Sequence, residues 1–150
     1  MMRDMSYGAI VYRRDKGIIY YLLLLYERNG KEWWDYPKGH AEDGETPLRA
    51  MSAELTEETG IKNFDVMEGF QEKEHFFFRE NGELVSKTVL FFLGHTSEKE
   101  IHLSYEHKDA VWLPYEEALK KVTFDTAQNV LKKAHSFIAG NNPSVQRKLL

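Results

Sequence analysis

The chain predicts an α/β fold, a mixed β-sheet with helices, on three observations. Short runs of β-branched and aromatic residues recur between turn-forming clusters, Asn81-Gly82 supplies a strong hairpin signal between two of them, and two segments carry apolar residues at helical spacing. The order of strands and helices fits an α/β/α sandwich.

Residues 7–12 and 18–26 read as strands, separated by a charged turn over 13–17 that is compatible with a hairpin. Residues 20–26 form the longest apolar run, far short of the ~20 residues a membrane span needs, so they are expected as a buried strand. Thr46 followed by Pro47 reads as an N-cap and first helical residue, starting a helix over about 47–59 that Gly60 should stop. Leu48, Ala50, Met51 and Leu55 supply its apolar side. Strands over 64–67, 75–78, 84–93 and 110–113 follow, then helices over 115–121 and about 125–137. The last helix carries Ala127, Val130, Leu131, Ala134 and Ile138 at helical spacing. A two-residue turn at Asn81-Gly82 would set Phe76 opposite Lys87 and Phe78 opposite Val85 on one face, and a slip of one residue would reverse the faces.

With 150 residues and 42% apolar content, one domain over 1–139 is expected, large enough to bury about two thirds of its unfolded surface. No linker or repeat divides it, and residues 140–150 read as a loosely tied tail. The absence of cysteine excludes disulfides and fits a reducing compartment, so the cytoplasm is the expected location. Arg3, Asp4, Arg13 and Arg14 interrupt any signal-peptide core, and neither a membrane nor an obligate protein partner is expected. A formal charge of −4 argues against a broad electrostatic grip on nucleic acid, although local clustering matters more.

Glu54, Glu57 and Glu58 sit at helical spacing just before Gly60. Like charges three and four apart repel by tenths of a kcal/mol, and carboxylates in the last turn face the negative end of the helix dipole. An arbitrary acidic helix would turn such a face to water. Here the preceding loop, 37–44, holds two glycines that allow close backbone approach, with Lys38 and His40 as donors to phosphate oxygens. Mg²⁺ prefers carboxylate and water oxygens and binds through few protein ligands plus substrate phosphates, so three carboxylates beside a phosphate loop suit it.

The run Gly39 to Ile61 resembles the Nudix box, G-x₅-E-x₇-R-E-U-x-E-E-x-G-U with U aliphatic. Gly39, Glu45, Glu54, Leu55, Glu57, Glu58, Gly60 and Ile61 fall in place, and Ala53 stands where the pattern has arginine. The lead-in Trp34-Asp35-Tyr36-Pro37-Lys38-Gly39-His40 is similar to the W-x-x-P-K-G-H of the asymmetrical diadenosine tetraphosphate hydrolase branch. Gly8 to Arg13, Lys87-Thr88-Val89, Glu106-His107 with Trp112-Leu113, and Ala134 to Ile138 are further landmarks of that resemblance.

The resemblance implies a Nudix-type α/β/α sandwich and a Mg²⁺-dependent hydrolase, with Mn²⁺ as the other candidate ion. The implied reaction splits diadenosine tetraphosphate into ATP and AMP by attack of water on phosphorus. It implies Glu54, Glu57 and Glu58 as metal ligands, joined by Glu106 from a loop and by the Gly39 backbone. Glu58 is expected either as a ligand or as the group that orients or deprotonates the water; both roles stay open, and Glu57 and Glu106 share the catalytic assignment. Lys38, His40 and Lys87 are the expected phosphate contacts, and Phe76 and Phe124 the expected base-stacking rings. Trp33, Trp34 and Trp112 are assigned to packing, and His107 is ranked below Glu106. Because the box arginine helps position neighbouring glutamates, Ala53 removes an organiser for which Arg49, one turn earlier, could partly substitute. Other readings are a Nudix hydrolase of RNA 5′-ends or other nucleoside polyphosphates, and a catalytically weak nucleotide-binding module.

Overall fold

Three two-residue turns, Lys16-Gly17, Asn29-Gly30 and Asn81-Gly82, organise the β-sheet of the computed structural model, which describes residues 1–140. Both central residues of each turn have positive φ (50° and 81°, 53° and 79°, 52° and 77°). That geometry matches the twist of flanking antiparallel strands. The first turn joins β1 (Met2–Asp15) to β2 (Ile18–Arg28), and the second joins β2 to β3 (Lys31–Asp35). After β4 (Lys38–Gly39), α1 (Pro47–Thr59) and β5 (Asp65–Val66), the third turn joins β6 (Glu72–Glu80) to β7 (Glu83–His95). The described chain ends with β8 (Asp109–Pro114), α2 (Tyr115–Lys121) and α3 (Asp125–Gly140).

Among the described residues the sheet has eight strands with the path β3-β2-β1-β7-β5, while β4 pairs with β1, β6 with β7 and β8 with β2. It is mixed, as expected, because β1 and β7 run parallel from Met2↔Val85 to Tyr12↔His95 while the other pairs are antiparallel. Phe76 lies opposite Lys87 and Phe78 opposite Val85, the register that a two-residue turn implies.

Alternation along each strand feeds two cores. Ile10, Tyr21, Leu23, Val89, Phe91 and Leu93 pack with Val130, Leu131 and Ala134 of α3. On the other face Ala9, Val11, Leu22, Leu24, Leu90 and Phe92 pack with Met51 and Leu55 of α1. Burying Leu55 fully contributes about 1.5–3 kcal/mol, so α1 is seated firmly on the sheet. Leu48 departs from expectation: it is 44% exposed, although Ala50 in the same turn of α1 is fully buried.

The strands are longer than the sequence suggests where a partner extends them. Residues 2–6 join β1 through the parallel pairing with β7. β3 lies in a stretch to which the sequence assigns no element, and β4 lies in the loop expected over 37–44. Lys38 and Gly39 pair with Gly8 and Tyr7, and a Cβ on Gly8 would stand 2.7 Å from the Pro37 carbonyl, so that glycine makes room for the crossing. The expected tail over 140–150 lies, apart from Gly140, outside the described residues. Among the described residues no helix is long and apolar enough to cross a membrane.

Candidate active site

The acidic end of α1 is locked by the loop that follows β7. Gly60 caps the helix, its N–H bonding the Thr56 carbonyl, and two of the last carbonyls are taken by the loop. His102 N–H bonds Thr59 O at 2.8 Å and Ser104 N–H bonds Glu58 O at 3.3 Å. Those carbonyls have no partner within the helix, so the docking satisfies them and fixes where the loop delivers Glu106 and His107.

Glu58 is 5% exposed and held from two sides. Its Oε1 accepts the Lys38 backbone N–H at 2.9 Å, and its Oε2 hydrogen-bonds His107 Nε2. Burial raises its pKa, and the His107 and Lys38 bonds oppose the rise. Glu54 has no such relief. Burial and then the charges of Glu58, Glu57, Glu106 and Glu45 push it up to about 7. The same residues therefore sit within electrostatic reach of one another, and the Glu54 carboxylate lies against the backbone of Gly39. Glu57 and Glu106 are exposed at the rim.

Among the described residues no three His, Cys, Asp or Glu side chains form a ready-made ion cage. What stands there is an oxygen-only set of carboxylates whose mutual repulsion a divalent cation would cancel. A hard ion that keeps waters and takes substrate phosphates as ligands needs only one or two protein carboxylates, so the donor set fits such an ion.

Beyond Glu58 the charges change sign. Lys38 Nζ is 2.9 Å from Asp35 Oδ2 and 3.9 Å from Glu74 Oε1. Burial works against its charge, but Asp35, Glu74 and Glu58 outweigh it and raise the pKa. Lys87 Nζ bonds Asp4 Oδ2 at 2.9 Å and Ser6 Oγ at 2.6 Å, and His40 Nε2 bonds the other Asp4 oxygen at 2.6 Å. Burial would raise the Asp4 pKa, yet Lys87 and His40 hold it below the usual carboxylate value. Burial and the Asp35 charge push the Glu74 carboxyl up. All three expected phosphate contacts are thus paired with acids that the sequence reading did not single out.

The rings divide into two groups. Phe76 is half-buried beside Phe78, with centroids 6.2 Å apart, and shares its register position with Lys87. Phe124, 49% exposed, lies 6.5 Å from Trp33, which is itself stacked on Tyr26 at 5.6 Å and 7°. Trp34 and Trp112 pack against the two cores, whereas Trp33 belongs to the Tyr26–Phe124 group instead. Arg49 does not substitute for the missing box arginine. Among the described residues it enters no ion pair, and its backbone N–H serves the Thr46 cap.

The residues missed are Asp4, Ser6, Asp35, Glu74 and the bond of His107 to Glu58. Glu74 was within reach: the register that puts Phe76 opposite Lys87 also puts Glu74 on that face, opposite Val89. Asp4 and Ser6 reach the site only through the parallel β1–β7 pairing, which has no local signal.

A carboxylate-ended helix set against a lysine-bearing loop on a mixed sheet is suited to metal-assisted chemistry on phosphate groups. Residues 2–133 match the family model described as the NUDIX domain, and the chain belongs to the Nudix hydrolases. Members of that family generally use divalent metal ions. The chain is similar to the asymmetrical bis(5′-nucleosyl)-tetraphosphatase of Mus musculus, 33% identical over 141 residues, covering 87% of this chain and 92% of that protein. It is similar in structure to a Caenorhabditis elegans Ap4A hydrolase solved as a binary complex, with a TM-score of 0.80 and 28% identity over 91% of this chain and 98% of that one. A shorter match, 48% identical over 44 residues and covering 29% of this chain and 25% of the relative, is to an RNA pyrophosphohydrolase of Tolumonas auensis.

Proposed function

We propose that this Nudix hydrolase is Mg²⁺-dependent and acts on dinucleoside polyphosphates, splitting diadenosine tetraphosphate into ATP and AMP by attack of water on phosphorus. The observation that carries the reading is the double engagement of Lys38. Its backbone N–H bonds Glu58 while its ammonium lies 2.9 Å from Asp35, so one residue ties the acidic helix end to the cationic side. Similarity to an asymmetrical tetraphosphatase over 87% of the chain supports the substrate class.

Glu54, Glu57, Glu58, Glu106 and the Gly39 backbone would hold Mg²⁺, or Mn²⁺ in its place. The bound ion supplies Lewis-acid charge neutralisation at phosphate and a more acidic water. The chain's residues do the rest. Glu58, immobilised by two hydrogen bonds, has a defined oxygen with which to orient the attacking water and take its proton, and the exposed Glu57 and Glu106 complete the charge around it. Lys38 and Lys87 each keep an N–H donor beyond their bonds to Asp35, Asp4 and Ser6, and with His40 beside them these donors make charge-assisted bonds to phosphate oxygens. Phe76 and Phe124 stack bases, each stack contributing about 1–3 kcal/mol. In this reading the chain is one domain over 1–139 acting in the cytoplasm.

The short RNA pyrophosphohydrolase match favours a second substrate, a triphosphorylated RNA 5′-end. Product analysis of purified protein with Mg²⁺ on diadenosine tetraphosphate, nucleoside triphosphates and triphosphorylated RNA decides between them. Equimolar ATP and AMP is the expected result. Pyrophosphate release from RNA in preference would favour the second reading, and tight binding without turnover at any metal concentration would leave only a nucleotide-binding module.

A further inference from the structure

Glu58 is buried at the end of a helix that offers it no cation. Position 53 is alanine, the last turn of α1 has no basic residue, and Arg49 is unpaired among the described residues. Its carboxylate is nevertheless fixed, by the Lys38 N–H on one oxygen and by His107 Nε2 on the other. His107 is itself buried, its side chain 2% exposed, with its ring edge-on to Tyr26 at 4.5 Å and 88°. Its Nδ1 is buried without a hydrogen-bond partner. A carboxylate oxygen accepts, so Nε2 is the ring atom that donates to Glu58. The Ser104 N–H on the Glu58 carbonyl and the His107 N–H on the Ser104 carbonyl, at 3.2 Å, hold this loop against the helix.

We infer that His107 is the positioning residue for Glu58, and that the loop thereby supplies the organisation which Ala53 withholds from the helix. The inference rests on the metal-hydrolase reading above. Ligand carboxylates are themselves hydrogen-bonded, and removal of such a partner typically costs about 10–100-fold in metal affinity or activity.

The test compares His107→Leu and His107→Asn, neither of which puts a donor at the Nε2 position, with His107→Gln, whose amide nitrogen falls near it. Mn²⁺ affinity is measured by calorimetry without substrate, kcat and KM at saturating metal, and folding by circular dichroism. For His107→Leu and His107→Asn the expected result is a loss of about 10–100-fold in Mn²⁺ affinity and in kcat, with nucleotide KM unchanged. His107→Gln should recover most of both. Wild-type affinity and kcat in either donor-less variant, or a loss in His107→Gln as large as theirs, would overturn the inference while leaving the hydrolase reading intact. Absence of Mn²⁺ binding by the wild-type protein would overturn both.

Discussion

The side chain of Glu54 occupies the space where a side chain on Gly39 would begin: a Cβ built on Gly39 falls 2.2 Å from Glu54 Cδ and 2.3 Å from its Oε2. The clash is with the movable end of a long side chain, so Gly39→Ala should cost little stability, under about 1 kcal/mol. The carboxylate, however, must leave its place. A displacement of about 1 Å in a reacting constellation can cost about 100-fold, and kcat/KM should fall by that order while the unfolding midpoint barely moves. Retained activity would show that Glu54 does not need this position.

Glu57 is exposed, so Glu57→Gln should leave the fold untouched. As a metal ligand its loss should lower kcat by orders of magnitude, read by steady-state kinetics on diadenosine tetraphosphate. Normal turnover would remove Glu57 from the metal set.

Ala53→Arg restores the residue of the box pattern. With Glu58 already held by His107 and Lys38, the gain in kcat/KM should stay below about tenfold, or about 1.4 kcal/mol of barrier. A larger gain would mean that the helix end is poorly organised as it stands.

Glu54→Gln should act in opposite directions with and without metal. Burial and the charges of Glu58, Glu57, Glu106 and Glu45 make its ionised form unfavourable, with the pKa near 7. At pH 8 without divalent ions the neutral variant should melt about 2–4 °C higher than wild type. With excess Mg²⁺ or Mn²⁺ the order should reverse, because only the wild type keeps the full linkage gain, about 2.7 kcal/mol at a hundred times Kd. Differential scanning fluorimetry reads both arms, and a variant that is less stable in both would contradict the repulsion.

His135 provides a pH test away from the carboxylates. Tyr115 stacks on its ring at 3.8 Å and 3°, Tyr21 Oη lies 2.7 Å from its Nδ1, and burial lowers its pKa below 6.5. A lowered histidine pKa means that the folded state favours the neutral ring. The contribution is therefore complete above pH 6.5 and is lost as pH falls through and below that value. Urea midpoints of wild type and His135→Gln should converge between pH 7.5 and 5.5. A constant gap would show that the ring does not titrate differently in the two states.

Much of this was legible because it is local chemistry. Thr46-Pro47 and Gly60 bound the box helix within its own sequence, and Asn81-Gly82 dictates a register that needs no distant information. Asn29-Gly30 carries the same signal and makes the same turn, yet β3, Lys31–Asp35, is too short and too charged to show the apolar alternation that marks the other strands. The acids that hold the lysines were hidden for different reasons. Asp4 and Asp35 look like solvated charges in sequence, and only tertiary placement brings one beside Lys87 and the other, 1% exposed, beside Lys38. His107 was ranked low because side-chain direction in an irregular loop has no period to read.

The parallel pairing of β1 with β7 also dictates when the site can exist. Asp4 and Lys87 are 83 positions apart, Glu58 and His107 are 49 apart, and each pair forms only after a long stretch of chain has been closed. Closing such loops costs entropy before any contact repays it, which places the domain among the slower, non-local folders. A nascent chain that has emerged only through Asn81-Gly82 carries every residue of the Gly39–Ile61 motif but has no Lys87, Glu106 or His107. The signature that identifies the family is thus complete well before the chain can assemble a site, and competence arrives only with β7 and the loop behind it.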